Sequence, residues 1–378
     1  MRWVDEFRDP ALAQRWAQRL AAQVEPGRSY RIMEFCGGHT HVVHRHGLPA
    51  LLPPPLRLIH GPGCPVCVLP VGRLDMALAL ARTPGVTLCT YGDALRVPAS
   101  GGATLLRARA EGADVRLVHA ADEALRLAQQ QPQRQVVLLA LGFETTTPPT
   151  AVVVRQAAAL GLRNFSVLVN HVRTPAAMDA ILRSDPPPRL DGILGPAHVS
   201  VVTGSAVFAP VARAHRTPIV VAGFEPLDVL QALVLLLRQV HAGRAEVGNQ
   251  YRRAVTAHGN RQAQALIDEV FEPREAFAWR GLGVLPRSAL RLRARYAAFD
   301  AERRFGLEDH VVPEPKGCLC PQVLRGARVP TDCRLFGRAC TPQHPVGACM
   351  VSSEGACAAH YAYGGSRPAR ATAGEAAP

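Results

Sequence analysis

Short runs of β-branched and apolar residues alternate with helical patterns through the first 240 residues of the chain. Turn residues follow each run, and apolar residues then recur at three- and four-residue spacing, which is typical of alternating strands and helices. This alternation predicts parallel sheets joined by right-handed crossovers, and therefore an α/β fold. The predicted strands begin near Tyr30, Leu56, Val86, Val115, Val136, Phe165, Gly192 and Ile219.

The eight strand signals form two sets of four. Each strand of the second set follows its counterpart at a nearly constant distance along the chain, which indicates an internal duplication. We therefore expect two small parallel-sheet α/β domains, residues 1–132 and 133–240, facing each other across a cleft. The boundary is predicted near Pro132, inside the polar run 129–135. The regular rhythm of one large α/β sheet would give the same spacing.

The remaining residues, 241–378, are expected to form a third domain. Its first part, to about Arg304, has a mostly helical pattern that is interrupted at Pro273. Beyond Pro313 the chain is rich in Gly, Pro and Cys with little periodicity, so a metal rather than a large apolar core is expected to hold it together. The Ala-, Gly- and Pro-rich end, 364–378, is predicted to be disordered.

Composition argues against several classes of protein. An apolar content of 48% in 378 residues supplies the cores of a folded globular protein. The amino terminus lacks an apolar signal segment and no apolar stretch is long enough to span a bilayer, so we expect a cytoplasmic protein without a membrane partner. The net charge of +13 comes from scattered arginines, with Lys316 as the only lysine, and no nucleic-acid partner is predicted. Because no Gly-Lys pair exists, a Walker-type phosphate loop is excluded.

The ends of the predicted strands indicate where a site should lie, because loops and helix N-termini converge at the carboxyl edge of a parallel sheet. The relevant loops are 36–41, 61–67, 91–93, 142–148, 170–171, 195–198 and 223–225. They predict a cleft lined by thiols, imidazoles and carboxylates. Whether Glu144, His171, His198 and Glu225 line this cleft or only cap helices and satisfy loop backbone is left open by the sequence.

The first of these loops brings a thiol and an imidazole together. Cys36 and His39 are separated by two glycines, which let the backbone curl so that both side chains reach one point. Sulfur and nitrogen donors together suit iron, zinc or copper, and a nucleophilic Cys36 with His39 as its base is the alternative. The histidines at 41, 44 and 46 are expected to be partly exposed polar residues of the helix that follows.

The second loop contains Cys64-Pro65-Val66-Cys67. A C-x-x-C at a strand-to-helix turn lies where the helix N-terminus lowers thiol pKa values, so the pair can cycle between dithiol and disulfide. The same spacing also occurs as half of a zinc site. The neighbouring glycines and prolines indicate a constrained, exposed turn, which favours the redox interpretation. Cys89, inside a predicted strand, is expected to be a buried small hydrophobic residue.

Six of the ten cysteines lie beyond residue 317. In the reducing cytosol expected for this protein, so many cysteines favour metal ligation or redox chemistry over a disulfide scaffold. Cys318, Cys333, Cys340 and Cys357 read as C-x14-C-x6-C-x16-C, a wide spacing that favours a cubane iron–sulfur cluster over the short-spaced pairs of a zinc site. Chemistry alone leaves the choice of four among the six open.

Several segments together carry a resemblance to a known family. They are 36–40 (CGGHT), 61–67 (GPGCPVC), 142–146 (GFETT) and the stretch from Cys333 to Cys357. In this order they resemble the motifs of the HypD family of hydrogenase maturation proteins, over about Arg31 to Tyr361. One departure is Pro321, where the family pattern predicts glycine; it lies beside Cys320, which is not among the four expected ligands.

The resemblance implies an assembly scaffold with redox activity rather than a conventional turnover enzyme. Proteins of this family, with the small chaperone HypC, hold the iron that acquires two cyanides and one carbon monoxide before its insertion into [NiFe]-hydrogenase. HypE supplies the cyanide. The implied partners are therefore a HypC-type chaperone, a HypE-type cyanide donor and, indirectly, the hydrogenase large subunit. The implied cofactors are a [4Fe-4S] cluster and Fe(II) carrying cyanide and carbon monoxide.

Carried onto this chain, the resemblance assigns the iron site to Cys36, with His39 beside it and a HypC cysteine as a further ligand. Cys64 and Cys67 would be the redox-active pair at the same site. The [4Fe-4S] ligands would be Cys318, Cys333, Cys340 and Cys357.

Electrons would then pass from the cluster through the dithiol to the iron. This relay requires the carboxyl-terminal cysteines to meet Cys67 in space. A stand-alone iron–sulfur thiol-disulfide oxidoreductase is the alternative.

Overall fold

All eight strands predicted from the apolar runs are present in the computed structural model, which describes residues 5–185 and 187–364. The tail predicted to be disordered lies outside the described residues except for Gly364. The strands are β1 (Tyr30–Glu34), β2 (Leu56–His60), β3 (Val86–Thr90), β4 (Val115–Leu117), β5 (Gln135–Gly142), β6 (Phe165–His171), β7 (Gly192–Pro196), β8 (Ile219–Ala222), β9 (Val247–Asn249), β10 (Phe271–Pro273), β11 (Ala276–Trp279), β12 (Gly283–Pro286) and β13 (Leu290–Leu292).

Helices follow most of these strands. The α-helices are α1 (Pro10–Ala21), α2 (Gly37–Arg45), α3 (Pro65–Val68), α4 (Val71–Arg82), α5 (Leu105–Ala110), α6 (Ala121–Gln130), α7 (Thr147–Ala159), α8 (Thr174–Leu182), α9 (Ala197–Thr203), α10 (Ala209–His215), α11 (Pro226–His241), α12 (Arg261–Val270), α13 (Ala301–Phe305), α14 (Cys320–Leu324) and α15 (Ala356–Tyr363). Short 3-10 turns occupy Asp5–Phe7, Leu48–Leu51, Gly92–Arg96, Ser100–Gly102, Ser205–Phe208, Ala294–Phe299, Pro330–Asp332 and Ala348–Met350.

Two parallel sheets form the framework, which confirms the predicted α/β class. One sheet has the order β2-β1-β7-β8-β9 and the other has the order β4-β3-β5-β6. Helices lie between consecutive strands, and β3, β7 and β8 are buried at every position, as expected when helices cover both faces of a parallel sheet.

The division of strands between the sheets differs from two consecutive halves. The chain leaves the first sheet after β2, builds the whole second sheet, and returns to the first at β7, where Ile32 pairs with Gly192. The boundary expected near Pro132 therefore falls between β4 and β5, inside the second sheet. The physical reason is that equal spacing reports the regular length of a strand-helix unit and carries no information on which strands pair.

The third region contains more strand than its helical pattern predicts. Pairs β10–β13 and β11–β12 form two small antiparallel sheets, and β9 extends the first parallel sheet. Of the described residues beyond 310, only α14 and α15 form α-helix. Cys320 and Cys357 lie on these helices, and the other four carboxyl-terminal cysteines lie outside α-helix. Helix α15 packs against α2, which brings the carboxyl-terminal segment next to the loop that contains Cys36.

A buried arginine joins α4 to the second sheet and to the third region. Arg73 has no exposed surface, and its Nε donates to Asn170 Oδ1 at 2.6 Å. Its Nη2 donates to the Val169 carbonyl at 3.0 Å and to Glu302 Oε1 at 2.6 Å. The guanidinium also lies 5.4 Å from the Phe277 ring centroid. This network fixes the helix that follows the C-x-x-C loop.

Candidate functional site

The loops after β1 and β2 lie side by side because these strands are neighbours, with Glu34 paired to His60. Cys36 is the N-cap residue of α2, and the chain of the second loop crosses directly over it at Gly63. A Cβ at Gly63 would overlap the backbone atoms of Cys36 and Gly37. The close approach therefore needs glycine, and it holds Cys36 next to the C-x-x-C loop.

The Cys36 thiol is buried at the start of α2. Burial raises the pKa of this thiol, and the nearby Glu354 carboxyl raises it further. Hydrogen bonds from the amides of Gly38 and His39 act in the opposite direction and stabilise the thiolate. The thiol is therefore protonated at neutral pH, and a bound cation would be needed to displace its proton.

His39 is fully buried, and its ring is fixed by two carbonyl groups. The Nε2 atom lies 3.0 Å from the Ala222 oxygen and 3.1 Å from the Gly223 oxygen, so Nε2 must carry the proton. Nδ1 keeps its lone pair and has no hydrogen-bond partner among residues 5–185 and 187–364. Burial lowers the pKa of His39, which makes it a neutral imidazole with one unused donor atom.

Phe224 extends this environment to His198. The His39 ring stacks on Phe224 with centroids 4.8 Å apart, and the His198 ring stacks on the same side chain at 3.8 Å. Gly38 allows this approach, because a Cβ there would lie 2.8 Å from the Phe224 ring. Of the four residues left open by the sequence, His198 is the one that adjoins His39.

The other three residues of that group have structural partners. Glu144 accepts hydrogen bonds from the Thr174 amide and hydroxyl, both at 2.8 Å, at the start of α8. The ring of His171 bonds Thr150 Oγ1 at 2.9 Å, and burial lowers its pKa to about 3. Glu225 precedes α11 and accepts a hydrogen bond from Arg8 Nη2 at 2.9 Å.

Glu354 forms a wall of the Cys36 site. Gly37 packs against it so closely that an added Cβ would lie 2.9 Å from Glu354 Oε2. Burial raises the pKa of this carboxyl, and the charges of Asp93 and Glu34 add to the effect. The raised pKa favours the protonated form of this carboxyl beside the buried Cys36 thiol. The sequence did not reveal this neighbour, because residue 354 is more than three hundred positions away from Cys36.

The C-x-x-C pair is closed as a disulfide between Cys64 and Cys67, with Cα atoms 5.2 Å apart. Cys64 precedes Pro65, the first residue of α3. Both side chains are buried, so the expectation of an exposed turn is wrong, since the carboxyl-terminal segment covers the loop. The Sγ atom of Cys67 lies 3.9 Å from the Ala348 carbonyl oxygen of that segment. Cys89 is buried inside β3, as predicted.

The four carboxyl-terminal cysteines singled out by spacing are free and line one small apolar cavity. Burial raises the pKa of Cys318 to about 11, and the neighbouring Cys333 and Cys340 contribute. The pKa of Cys357 is raised by burial and by the same neighbours. Because all four cysteines line the same cavity, their thiols are close in space.

The four thiols of this cavity suit an iron–sulfur cluster better than a single metal ion. In the described part of the chain, no three His, Cys, Asp or Glu side chains are arranged to hold a single metal ion. A cubane cluster differs, because each cysteine binds a different iron and the four sulfurs need not converge on one point. Four free thiols around one cavity fit that requirement by their chemistry.

A second disulfide, between Cys320 and Cys349, lies between the two thiol sites. Its Cα atoms are 6.1 Å apart, and both cysteines line the tetracysteine cavity. Residue 348, which adjoins Cys349, is the one whose carbonyl faces Cys67. The sequence assigned no function to these two cysteines, because spacing does not show which pairs meet.

These observations define an α/β protein with a buried thiol-imidazole site at one sheet edge and a tetracysteine cavity in the carboxyl-terminal segment. The family model of HypD, described as "Hydrogenase formation hypA family", matches residues 11–364. The hydrogenase maturation factor HypD of Azotobacter vinelandii is 63% identical over 374 residues, covering 98% of each chain. That of Cupriavidus necator is 57% identical over 370 residues, covering 96% of this chain and 97% of the relative. That of Escherichia coli is 45% identical over 368 residues, covering 96% and 98%.

The chain belongs to the HypD family of hydrogenase maturation factors, and the resemblance seen in its motifs is confirmed. Within residues 5–185 and 187–364, none of the helices has both the length and the apolar character that a bilayer crossing requires.

Proposed function

We propose that this maturation factor is the scaffold on which, together with a HypC-type chaperone, iron acquires its cyanide and carbon monoxide ligands. The observation that carries the proposal is the convergence of Cys36, His39 and the Cys64–Cys67 pair at one sheet edge, with Gly63 packed on the Cys36 backbone. Iron is the cargo of this site rather than a resident cofactor. A HypE-type protein would donate cyanide, and the hydrogenase large subunit would receive the product.

Cys36 would supply the thiolate ligand. Fe(II) binding would displace the thiol proton, and the amides of Gly38 and His39 would stabilise the resulting negative charge. The buried Glu354 carboxyl, whose pKa is raised beside this thiol, would accept that proton. His39 would act as the neighbouring polar group, with its Nδ1 lone pair available to accept a hydrogen bond from a ligand or a bound water.

The tetracysteine cavity would hold a [4Fe-4S] cluster through Cys318, Cys333, Cys340 and Cys357. Such a cluster supplies electrons at low potential. The positions of the two disulfides support an electron path from the cavity to the Cys64–Cys67 pair. The Cys320–Cys349 disulfide borders the cavity, and Ala348, next to Cys349, borders Cys67. Reducing either disulfide consumes two electrons and two protons and yields two thiols. Free thiols and an oxygen-sensitive cluster are suited to the reducing cytoplasm, which is the proposed location.

Infrared spectroscopy of the anaerobically purified complex with a HypC-type partner tests the scaffold. Cys36→Ala is expected to abolish the cyanide and carbon monoxide stretching bands. Cys89→Ala is the matched control, because Cys89 is also a free buried cysteine but lies inside β3 away from the site. Bands of wild-type intensity in Cys36→Ala would count against this ligand. Iron and sulfide quantitation on the same samples tests the cluster, and zinc without sulfide would refute it.

A stand-alone thiol-disulfide oxidoreductase is favoured only by the disulfide at the start of α3. Both cysteines are buried, with Cys64 3% exposed and Cys67 0% exposed, so a protein substrate has no direct access to them. Turnover of a model disulfide substrate by this chain alone, at a rate that Cys64→Ser abolishes, would support this second function.

A further inference from the structure

A cluster of three histidines and one buried carboxylate lies at the far end of α2 from Cys36. His44 is partly exposed, as the sequence predicts, and its ring lies beside those of His60 and His360. The cluster borders a cavity of about 550 Å³, a volume typical of ligand pockets. Its imidazoles come from α2, β2 and α15, which are separate parts of the chain.

Hydrogen bonds orient the rings of this cluster. His60 Nδ1 lies 2.6 Å from Glu34 Oε1, so Nδ1 donates to Glu34 and Nε2 is the ring nitrogen that faces His44. Glu34 is itself held by the Thr40 hydroxyl. A carboxylate that orients a histidine in this way is the usual outer partner of a metal-bound imidazole, where it fixes the tautomer and increases the basicity of the ligand.

The geometry of the two facing nitrogens fits a shared cation. His60 Nε2 lies 3.4 Å from His44 Nε2, at the long end for a direct hydrogen bond. Two nitrogens bound tetrahedrally to one zinc at about 2.0–2.1 Å would lie roughly 3.3–3.4 Å apart. Burial and the neighbouring His60 and His360 lower the pKa of His44 to about 3, so protons do not compete for its lone pair near neutrality.

We propose that His44 and His60 form a binding site for a divalent first-row transition cation, with Glu34 as the positioning carboxylate of His60. The paired imidazoles supply two ligands. This agrees with the finding that no three His, Cys, Asp or Glu side chains among the described residues are already arranged around one metal position. His360, whose ring lies 5.2 Å from that of His44, is next to the pair and supplies the third ligand after a side-chain rotation. Water from the cavity completes the shell. Arg31, Arg57 and Arg328 also border the cavity, so coordination rather than net charge attracts the cation.

The site uses none of the proposed iron ligands, and zinc serves as the test ion. Full-length protein that retains its other metals is titrated with zinc, and bound zinc is counted after gel filtration. His44→Phe keeps the ring packing and is expected to bind one zinc less per chain than wild type. His119→Phe, a change at an exposed histidine, is the matched control and is expected to bind as much as wild type.

X-ray absorption at the zinc edge identifies the ligands of the ion that His44→Phe loses. The expected first shell contains nitrogen and oxygen at about 2.0–2.1 Å and no sulfur at about 2.3 Å. Equal zinc content in His44→Phe and wild type, or a sulfur shell for the lost ion, overturns the proposal.

Glu34→Gln keeps every ligand but removes the positioning charge, so its zinc affinity is expected to fall roughly 10–100-fold. An unchanged zinc affinity in this second variant would overturn the assignment of Glu34 as the positioning carboxylate of His60, even if His44→Phe proved too unstable to purify.

Discussion

Gly63→Ala isolates the contact between the C-x-x-C loop and Cys36 without changing any thiol or imidazole. The added methyl group would overlap the Cα and carbonyl carbon of Cys36 and the amide nitrogen of Gly37. Because all three neighbours are backbone atoms, no rotamer change relieves the overlap. Restoring an ordinary carbon contact of about 3.5 Å requires the loop and the start of α2 to separate by roughly 1 Å.

The expected magnitude follows from that displacement. Overpacking of this kind costs about 1–3 kcal/mol of unfolding free energy. A misplacement of about 1 Å in a reacting site can also cost on the order of 100-fold in function. We therefore expect Gly63→Ala to lower the unfolding temperature. It should also lose most of the infrared band intensity of the proposed bound iron, while the content of the proposed iron–sulfur cluster stays at the wild-type level.

Gly92→Ala is the control for this substitution. Its added Cβ would meet only Leu117 Cδ1, at 3.6 Å, which is an ordinary contact. Thermal unfolding reports the steric overlap independently of any bound iron, and infrared intensity reports its effect on the scaffold. A Gly63→Ala protein that matched Gly92→Ala in both measurements would refute the argument that this glycine holds the two loops together.

Two further predictions concern stability. Arg73→Met leaves Asn170 Oδ1 without its donor, while Glu302 keeps Arg274 as a partner. We therefore expect this variant to lose about 3 kcal/mol of unfolding free energy in denaturant, at the low end for a broken buried pair. Arg107→Met changes a side chain that is 74% exposed and is expected to leave the unfolding free energy unchanged. Burial holds His171 neutral with a pKa of about 3, so between this value and its ordinary 6.5 the unfolded chain binds more protons and stability falls as the pH is lowered. His171→Leu should flatten the dependence of unfolding free energy on pH in this window, and an unchanged slope would contradict the assignment.

The strands could be predicted from the sequence, but their pairing could not. A buried parallel strand is a continuous apolar run, so β3, β5, β6, β7 and β8 are visible locally. Whether β1 pairs with β4 or with β7 depends on contacts between residues far apart in the chain, as between Ile32 and Gly192. The regular spacing of the strands predicted a duplication into two consecutive halves. In the structure, the chain instead inserts the whole second sheet between the two parts of the first.

The same distinction applies to the site. Cys36, His39 and the C-x-x-C pair could be found because glycines and strand ends mark their loops. Glu354 and the Cys320–Cys349 disulfide could not, since six cysteines allow 15 pairings and no local pattern selects one. The environment of His44 was missed for a similar reason, because one neighbour is on β2 and the other on α15.

The contact between α2 and α15 makes the amino-terminal site depend on the carboxyl-terminal segment. Glu354, just before α15, packs on Gly37, the first residue of α2, and Cys357 on α15 borders the tetracysteine cavity. Beyond residue 313 the described chain has little regular structure of its own, so the free energy of binding a cluster there would act as folding free energy for the segment. If the four cysteines hold a cluster as proposed, its binding would stabilise the wall around Cys36. Iron binding at Cys36 would then be favoured in a chain that already holds its electron source.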